Sequence, residues 1–367
     1  MAAPSGGWCF SDLVSPIPSA HDDELTRRRL QAWLAPRLGP DVEVSDLVVP
    51  EGSGYSNETL LFGATWSSGG EPHQADLVVR LRPTGYAIFP EYDLSLQYRC
   101  LQAVAARSAV PVPAVHWFEP DDAPLGAPFF VMDQVHGVVP SDSPPYTAGG
   151  WLHDAEPAQQ ERLYRSALAV LADLHQLDWE AGFGFLQRHD LGPPGMAAQL
   201  AAGRAYLEWA AEGGSLPLHE AALAWLEANR PDEPPTGLNW GDARIGNMMF
   251  RDFEPVAVLD WEMATLGPAE VDLAWWLVLD RYSAEGNGQP RLPGFPDRDA
   301  TIALYQERLG RTVRDLEYYE VWAALRFAIV LVRVVRMMTE HGVLPPGSGA
   351  DVDNFATAAL RRFLGGA

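Results

Sequence analysis

The chain has 367 residues, 47% hydrophobic and 20% charged, which describes a folded protein with ample material for a core and room for one large domain or two. A formal charge of -23, with no basic tract to offset it, argues against a nucleic-acid partner. Lysine is absent, so all 26 basic residues are arginine, which keeps its proton and grips phosphate as a fork.

Cys9 and Cys100 are too few and too far apart for a metal or disulfide pattern, which suits a reducing cytoplasm. Met1 to Pro18 lacks the basic start and apolar middle of a signal peptide. The one long apolar run, Val321 to Met338, carries Arg326, Arg333 and Arg336, a charge density that argues against a membrane span. No internal repeat or low-complexity tract is present, and nothing in the sequence speaks to oligomeric state.

Residues 1 to about 20 are rich in Pro and Ser and read as an extended arm. Asp22-Asp23-Glu24 opens an amphipathic helix through Leu25, Leu30, Trp33 and Leu34 that stops near Gly39-Pro40. Val42 to Val49 alternates as a strand, and Gly52-Ser53-Gly54 leads into a second strand at Thr59 to Trp66. Asp76 to Pro83 is a third strand, with Arg80 after two β-branched residues. A helix is expected over Pro90 to Arg107, a short strand over Pro111 to Glu119, and a buried strand from Phe129 running into Val135-His136-Gly137.

Residues 139 to 150 form a Pro/Ser/Gly loop. Glu156 to Leu177 repeats apolar residues at helical spacing, through Leu163, Ala167, Leu168, Leu171 and Leu174. His175, near its end, reads as a packing or capping residue. Helical pieces follow over Ala197 to Ala211 and Leu218 to Asn229, then over Ala269 to Tyr282 and Asp315 to Glu340. Gly286 to Pro296 reads as a flexible loop, a lid or an entrance.

Chemistry concentrates in Asn239-Trp240-Gly241-Asp242-Ala243-Arg244-Ile245-Gly246-Asn247 and Val258-Leu259-Asp260-Trp261-Glu262. Met248-Met249-Phe250 and Val256 to Leu259 read as two short strands joined by a turn around Asp252 to Pro255. That hairpin brings two carboxylates and an amide, Asp242, Asp260 and Asn247, to one place. Phosphoryl transfer from a nucleotide needs such a set: a carboxylate facing the attacking hydroxyl, with an amide and a second carboxylate on Mg²⁺. An acidic surface loop beside a hairpin is the bland alternative.

The Asp-x4-Asn spacing matches the protein-kinase pattern, with Trp-Gly-Asp in place of His-Arg-Asp and Asp-Trp-Glu in place of Asp-Phe-Gly. Those changes resemble the aminoglycoside phosphotransferase-like family, which includes choline and homoserine kinases. The run Leu259 to Pro268, then Val271-Asp272-Leu273-Ala274-Trp275-Trp276, resembles the branch fused to acyl-CoA dehydrogenases in animals.

The resemblance implies an α+β, bilobal, protein-kinase-like fold: an N-terminal antiparallel sheet lobe over 1–134, then a larger, mainly helical lobe over 135–367. It implies ATP or GTP under Gly52, Ser53 and Gly54, phosphates on Arg80 at the position of the usual lysine, and Mg²⁺ on Asn247 and Asp260. The carbonyl of Asp133 and the N–H of Val135 face adenine. Asp242 orients the acceptor hydroxyl, and Arg244 either stabilises the transferring phosphoryl group or pairs with a carboxylate. Gln97 stands where the family has a glutamate, so it can accept one hydrogen bond from Arg80 without neutralising it. Asp93, one turn earlier, is a candidate substitute, and Asp272 a brace for the catalytic loop. Arg326, Arg333 and Arg336 fall on one side of their helix, either paired with carboxylates or lining the acceptor cleft around an anionic group. Acceptor classes left open are aminoglycosides and a hydroxyacyl-CoA or other metabolic alcohol. A nucleotide-binding pseudokinase without phosphotransfer is the non-enzyme alternative, because Arg80 and Gln97 replace Lys and Glu.

Overall fold

A computed structural model describes residues 23–50, 58–83 and 85–365. The expected N-terminal arm and the glycine turn at Gly52, Ser53 and Gly54 lie outside them. Helix α1 (Asp23–Leu38) buries Leu30, Trp33 and Leu34 against the first sheet and leaves its arginines outside. That sheet is antiparallel, in the order β1-β2-β3-β5-β4. Its strands are β1 (Glu43–Val44), β2 (Glu58–Ser68), β3 (Glu71–Leu81), β4 (Val115–Glu119) and β5 (Phe129–Asp133). Helix α2 (Leu94–Arg107) lies between β3 and β4 in sequence and packs on β4 and β5.

Two departures from the sequence pattern have local causes. Val42 to Val49 pairs as a strand only at Glu43 and Val44, with one further bridge from Val48 to Leu61. Strands β2 and β3 run longer than their apolar stretches because Gly69 and Gly70, at φ +62° and +85°, close a two-residue hairpin turn. That exposed end pairs through backbone bonds, which apolar alternation does not signal.

The larger lobe begins with α3 (Pro157–Leu174), whose Leu163, Ala167, Leu168, Leu171 and Leu174 are all buried. The short α4 (Trp179–Gly182), then α5 (Met196–Ala211) and α6 (Pro217–Ala228), lead to two small antiparallel ribbons. One pairs β6 (Thr236–Asn239) with β9 (Thr265–Pro268); the other pairs β7 (Met248–Arg251) with β8 (Glu254–Val258). The turn of the second is tighter than expected, with Asp252 and Phe253 at positive φ and Pro255 already in the strand. Helix α7 (Glu270–Ala284) is buried from Glu270 to Asp280, as an apolar helix packed on all sides must be. It packs against α9 (Leu316–Glu340), while α8 (Arg298–Leu309) covers α3 and α10 (Phe355–Gly365) covers α9. Among the described residues no helix is long and apolar enough to cross a membrane.

The stretch between β3 and α2 ties the lobes together. The Ala87 carbonyl accepts from Nη2 of Arg333 on α9 at 3.0 Å, and the Ile88 carbonyl accepts from the Tyr206 hydroxyl of α5 at 2.8 Å. The Arg333 guanidinium lies between the rings of Tyr86 and Trp209, 4.5 and 4.1 Å from their centroids. Ile88 shares a small core with Val334, Val335, Met337 and Met338.

Candidate active site

The catalytic loop is held from below by one carboxylate. Asp272 on α7, wholly buried, accepts from the backbone N–H of Trp240 at 2.6 Å and of Gly241 at 3.1 Å, and from His175 Nε2 at 3.1 Å. His175 in turn contacts the Tyr305 hydroxyl, so its role is the structural one expected of it. Gly241 has φ +95°, and a Cβ there would sit 2.0 Å from the Met263 carbonyl oxygen, so only glycine fits. Trp240 Nε1 donates to the carbonyls of Leu259 and Asp260, at 2.8 and 3.2 Å, and stitches the two motif segments together.

Asp242 is fixed on both carboxylate oxygens. Oδ1 accepts from Trp275 Nε1 at 2.7 Å; Oδ2 accepts from Asn247 Nδ2 at 2.6 Å and from Arg244 Nε at 3.3 Å. The Asn247 amide nitrogen is therefore consumed by Asp242, and its Oδ1 is left for another partner. The Asn247 carbonyl accepts from Leu259 N–H at 2.9 Å, which brings Asp260 alongside. Asp260 takes a left-handed backbone, φ +56°. Its Oδ1 lies 3.0 Å from Nη2 of Arg80, a contact that spans the two lobes and 180 residues of sequence. Burial pushes the Asp260 carboxyl above its ordinary value; Arg80 pulls it back, and Asp242 adds to the rise.

Asn247 Oδ1 and the Asp260 carboxylate form an all-oxygen donor set, the kind a hard divalent cation takes. Among the described residues no group of three or more His, Cys, Asp or Glu could hold a metal. One or two protein oxygens completed by substrate phosphates and water is the way Mg²⁺ is ordinarily bound, and the chemistry of this donor pair is compatible with that.

Several expected contacts differ. Gln97 is buried on α2 but makes no hydrogen bond to Arg80, whose charged partner is Asp260. Asp93 does not substitute, because its side chain caps α2 through the Ser95 N–H at 2.9 Å; for that reason the helix starts at Leu94 rather than Pro90. At the interlobe link the Asp133 and Gln134 N–H groups bond the carbonyls of Ala114 and Asp76, and the Val135 N–H has no partner among the described residues. The Gly286 to Pro296 stretch is pinned, not loose. Arg291 pairs with Asp280, and Leu292 and Phe295 are buried, the latter against Tyr164. Arg333 and Arg336 are each engaged by protein partners, though Arg336 also lines a cavity with Thr339 and Asp351. Arg333 pairs with Glu212 and the Ala87 carbonyl, Arg336 with the Ala210 carbonyl and Glu212.

Arg244 takes the pairing alternative. Its Nη1 lies 2.8 Å from both oxygens of Asp142, and a Cβ at Gly246 would sit 2.4 Å from that same nitrogen. Burial lowers the Arg244 pKa, but Asp142 and Asp242 together hold it above the ordinary value. Sequence reasoning missed two participants, Asp142 and Trp275 as a donor to Asp242; Arg326, one of the arginines expected at the acceptor cleft, lies beside them. Trp275 lies within the Val271 to Trp276 motif, but nothing in the order of residues says that its indole turns toward Asp242.

The model of the phosphotransferase enzyme family matches residues 48–326. Among curated proteins the chain is 31% identical to mouse acyl-CoA dehydrogenase family member 10 over 61% of its own length and 20% of that protein's. It is 26% identical to rat acyl-CoA dehydrogenase family member 11 over 95% of its own length and 43% of that protein's. The chain thus spans less than half the length of these relatives. Among solved structures, a Ralstonia eutropha protein assigned as an aminoglycoside phosphotransferase aligns with TM-score 0.66 at 24% identity, over 92% of this chain and 96% of that one. Plasmodium vivax ethanolamine kinase aligns with TM-score 0.64 at 12% identity, over 98% and 95%. At these identities the structural likeness speaks for the fold.

Proposed function

The chain belongs to the phosphotransferase enzyme family, and from that premise we propose that it moves the terminal phosphoryl group of ATP or GTP to a hydroxyl of a small molecule. The nucleotide lies between the 1–134 and 135–367 lobes, with adenine or guanine against Asp133 and Val135; the expected phosphate turn at Gly52, Ser53 and Gly54 lies outside the described residues. The observation that carries the reading is convergence: Arg80 from one lobe meets Asp260 at 3.0 Å, Asn247 meets Asp242 at 2.6 Å, and the Leu259 N–H next to Asp260 bonds the Asn247 carbonyl at 2.9 Å.

Asp242 holds the acceptor hydroxyl in line and takes its proton as the new O–P bond forms and the bond to the nucleoside diphosphate breaks. Placement is its main contribution, because the transition state is loose and needs alignment and charge neutralisation. Asn247 and Asp260 would hold Mg²⁺, which would supply charge neutralisation on the transferring phosphates. Arg80 exchanges Asp260 for phosphate oxygens when nucleotide enters. Arg244, bound to Asp142, keeps the loop in shape between Asp242 and Asn247.

One observation favours a second reading, a nucleotide-binding protein without phosphotransfer: Arg80 rests on Asp260 and has no acidic partner on α2. The deciding experiment is a screen of hydroxyl compounds, including aminoglycosides, amino alcohols and hydroxyacyl-CoA thioesters, for coupled release of nucleoside diphosphate. Release that needs both Mg²⁺ and Asp260 supports transfer. Tight Mg·ATP binding, with no release beyond that of the Asp260→Ala variant, supports the second reading.

A further inference from the structure

Of the three arginines on the inner side of α9, only Arg326 has a nitrogen that is both buried and without a hydrogen-bond partner among the described residues. Its Nη2 donates to the Gly241 carbonyl at 3.1 Å, one residue from Asp242. Its guanidinium carbon stands 4.7 Å from the ring centroid of Trp275, the same indole whose N–H holds Asp242 Oδ1. Its Nη1 is buried and has no hydrogen-bond partner among those residues. A buried N–H of a cation without an acceptor is costly, and native structures keep such a group where a ligand or ordered water supplies the missing oxygen.

The two oxygens of Asp242 also separate the directions. Oδ2 is engaged by Asn247 and Arg244, on the metal and phosphate side. Oδ1, Trp275 and Arg326 form a separate group of contacts, and this is the side we assign to the entering hydroxyl. Charges facing Arg326 are those of Asp242 and Asp272, and Asp272 is already engaged by Trp240, Gly241 and His175. Burial holds the Arg326 pKa below its ordinary value, which strengthens its demand for an anionic neighbour.

We propose that Arg326 selects the acceptor: its Nη1 binds an anionic oxygen, carboxylate or phosphate, carried by the same small molecule whose hydroxyl Asp242 orients. The assignment rests on the phosphotransfer reading and narrows it, since a buried guanidinium beside the reacting hydroxyl opposes polycationic alcohols. The fork gives a carboxylate or phosphate a directional contact that a point charge does not.

The test compares wild type, Arg326→Gln and Arg326→Lys with Mg·ATP on hydroxybutyrate, glycerol phosphate, butanediol and ethanolamine, reading kcat/KM from diphosphate release. Wild type favours one of the two anionic acceptors over butanediol by about 30-fold. Arg326→Gln loses that preference through KM, and Arg326→Lys keeps part of it. Hydroxybutyrate and glycerol phosphate separate a carboxylate from a phosphate preference. An acceptor order that is the same in wild type and Arg326→Gln, or a wild type that prefers ethanolamine or butanediol, overturns the assignment. If wild type turns over none of the four, calorimetric titration of both anions in the presence of Mg²⁺ and a non-hydrolysable ATP analogue decides. Binding that Arg326→Gln loses supports the assignment, and binding of neither anion overturns it. Failure of wild type to bind Mg·ATP at all defeats the phosphotransferase reading instead.

Discussion

Replacing Asp272 by Asn tests whether the catalytic loop is set from beneath. The substitution conserves volume, so no cavity complicates it. The carboxylate now accepts three hydrogen bonds, two on Oδ2 from Trp240 N–H and His175 Nε2, and one on Oδ1 from Gly241 N–H. The asparagine oxygen can keep the first two as weaker, neutral-acceptor bonds, but its NH₂ must then face the Gly241 N–H. One bond to a charged acceptor is lost, worth about 1.5–3 kcal/mol, and a buried donor is left unpaired. Relief of the buried charge offsets part of this, leaving a net destabilisation of about 3 kcal/mol. Gly241 precedes Asp242, so the loop shifts where the hydroxyl is aligned, and kcat/KM falls by about 10²-fold. Urea unfolding gives the first quantity, and steady-state diphosphate release gives the second. An Asp272→Asn variant with stability within about 0.5 kcal/mol of wild type and unchanged turnover would refute the reasoning.

Gly241→Ala places a Cβ 2.0 Å from the Met263 carbonyl at φ +95°; the expected loss is about 3 kcal/mol or more, seen as a lowered urea midpoint or insoluble expression. Arg333→Met removes the Glu212 ion pair, the Ala87 bonds and the stack between Tyr86 and Trp209. Amide exchange should quicken over residues 85–92 and stay unchanged over 236–239, and equal protection of 85–92 would count against the bolt between the lobes. His219 on α6 is pushed below its ordinary 6.5 by burial, partly opposed by its bond to the Ala328 carbonyl. The unfolded chain therefore binds the proton first as pH falls. This contribution is intact above about pH 6.5 and is lost progressively below it, with a slope of at most about 1.4 kcal/mol per pH unit. His219→Gln should flatten the fall in melting temperature between pH 7 and 5, and an unchanged profile would reject it.

What the sequence made legible was short in range. Asp242, Asn247 and Asp260 are joined by a hairpin whose two strands and turn are contiguous, so their spacing dictates their meeting. Helices α3, α5, α6 and α9 show their buried faces in their apolar periodicity. The missed pieces depend on partners that sequence order does not supply. Arg244 finds Asp142 a hundred and two residues away, and Arg333 finds Ala87 at a separation of 246. Gly286 to Pro296 carries Gly and Pro that read as mobile, yet Arg291 and Phe295 anchor it against Asp280 and Tyr164. Gln97 is buried on α2 but makes no hydrogen bond to Arg80, which pairs with Asp260 across the cleft.

The most direct measurement of the central claim is transfer of labelled γ-phosphate from Mg·ATP to the best acceptor of the hydroxyl screen, by wild type and by Asp242→Asn, alongside calorimetric Mg·ATP binding. Asp242→Asn should lower transfer by about 10²–10⁴-fold while nucleotide still binds. Transfer by the Asp242→Asn variant at the wild-type rate would contradict the account.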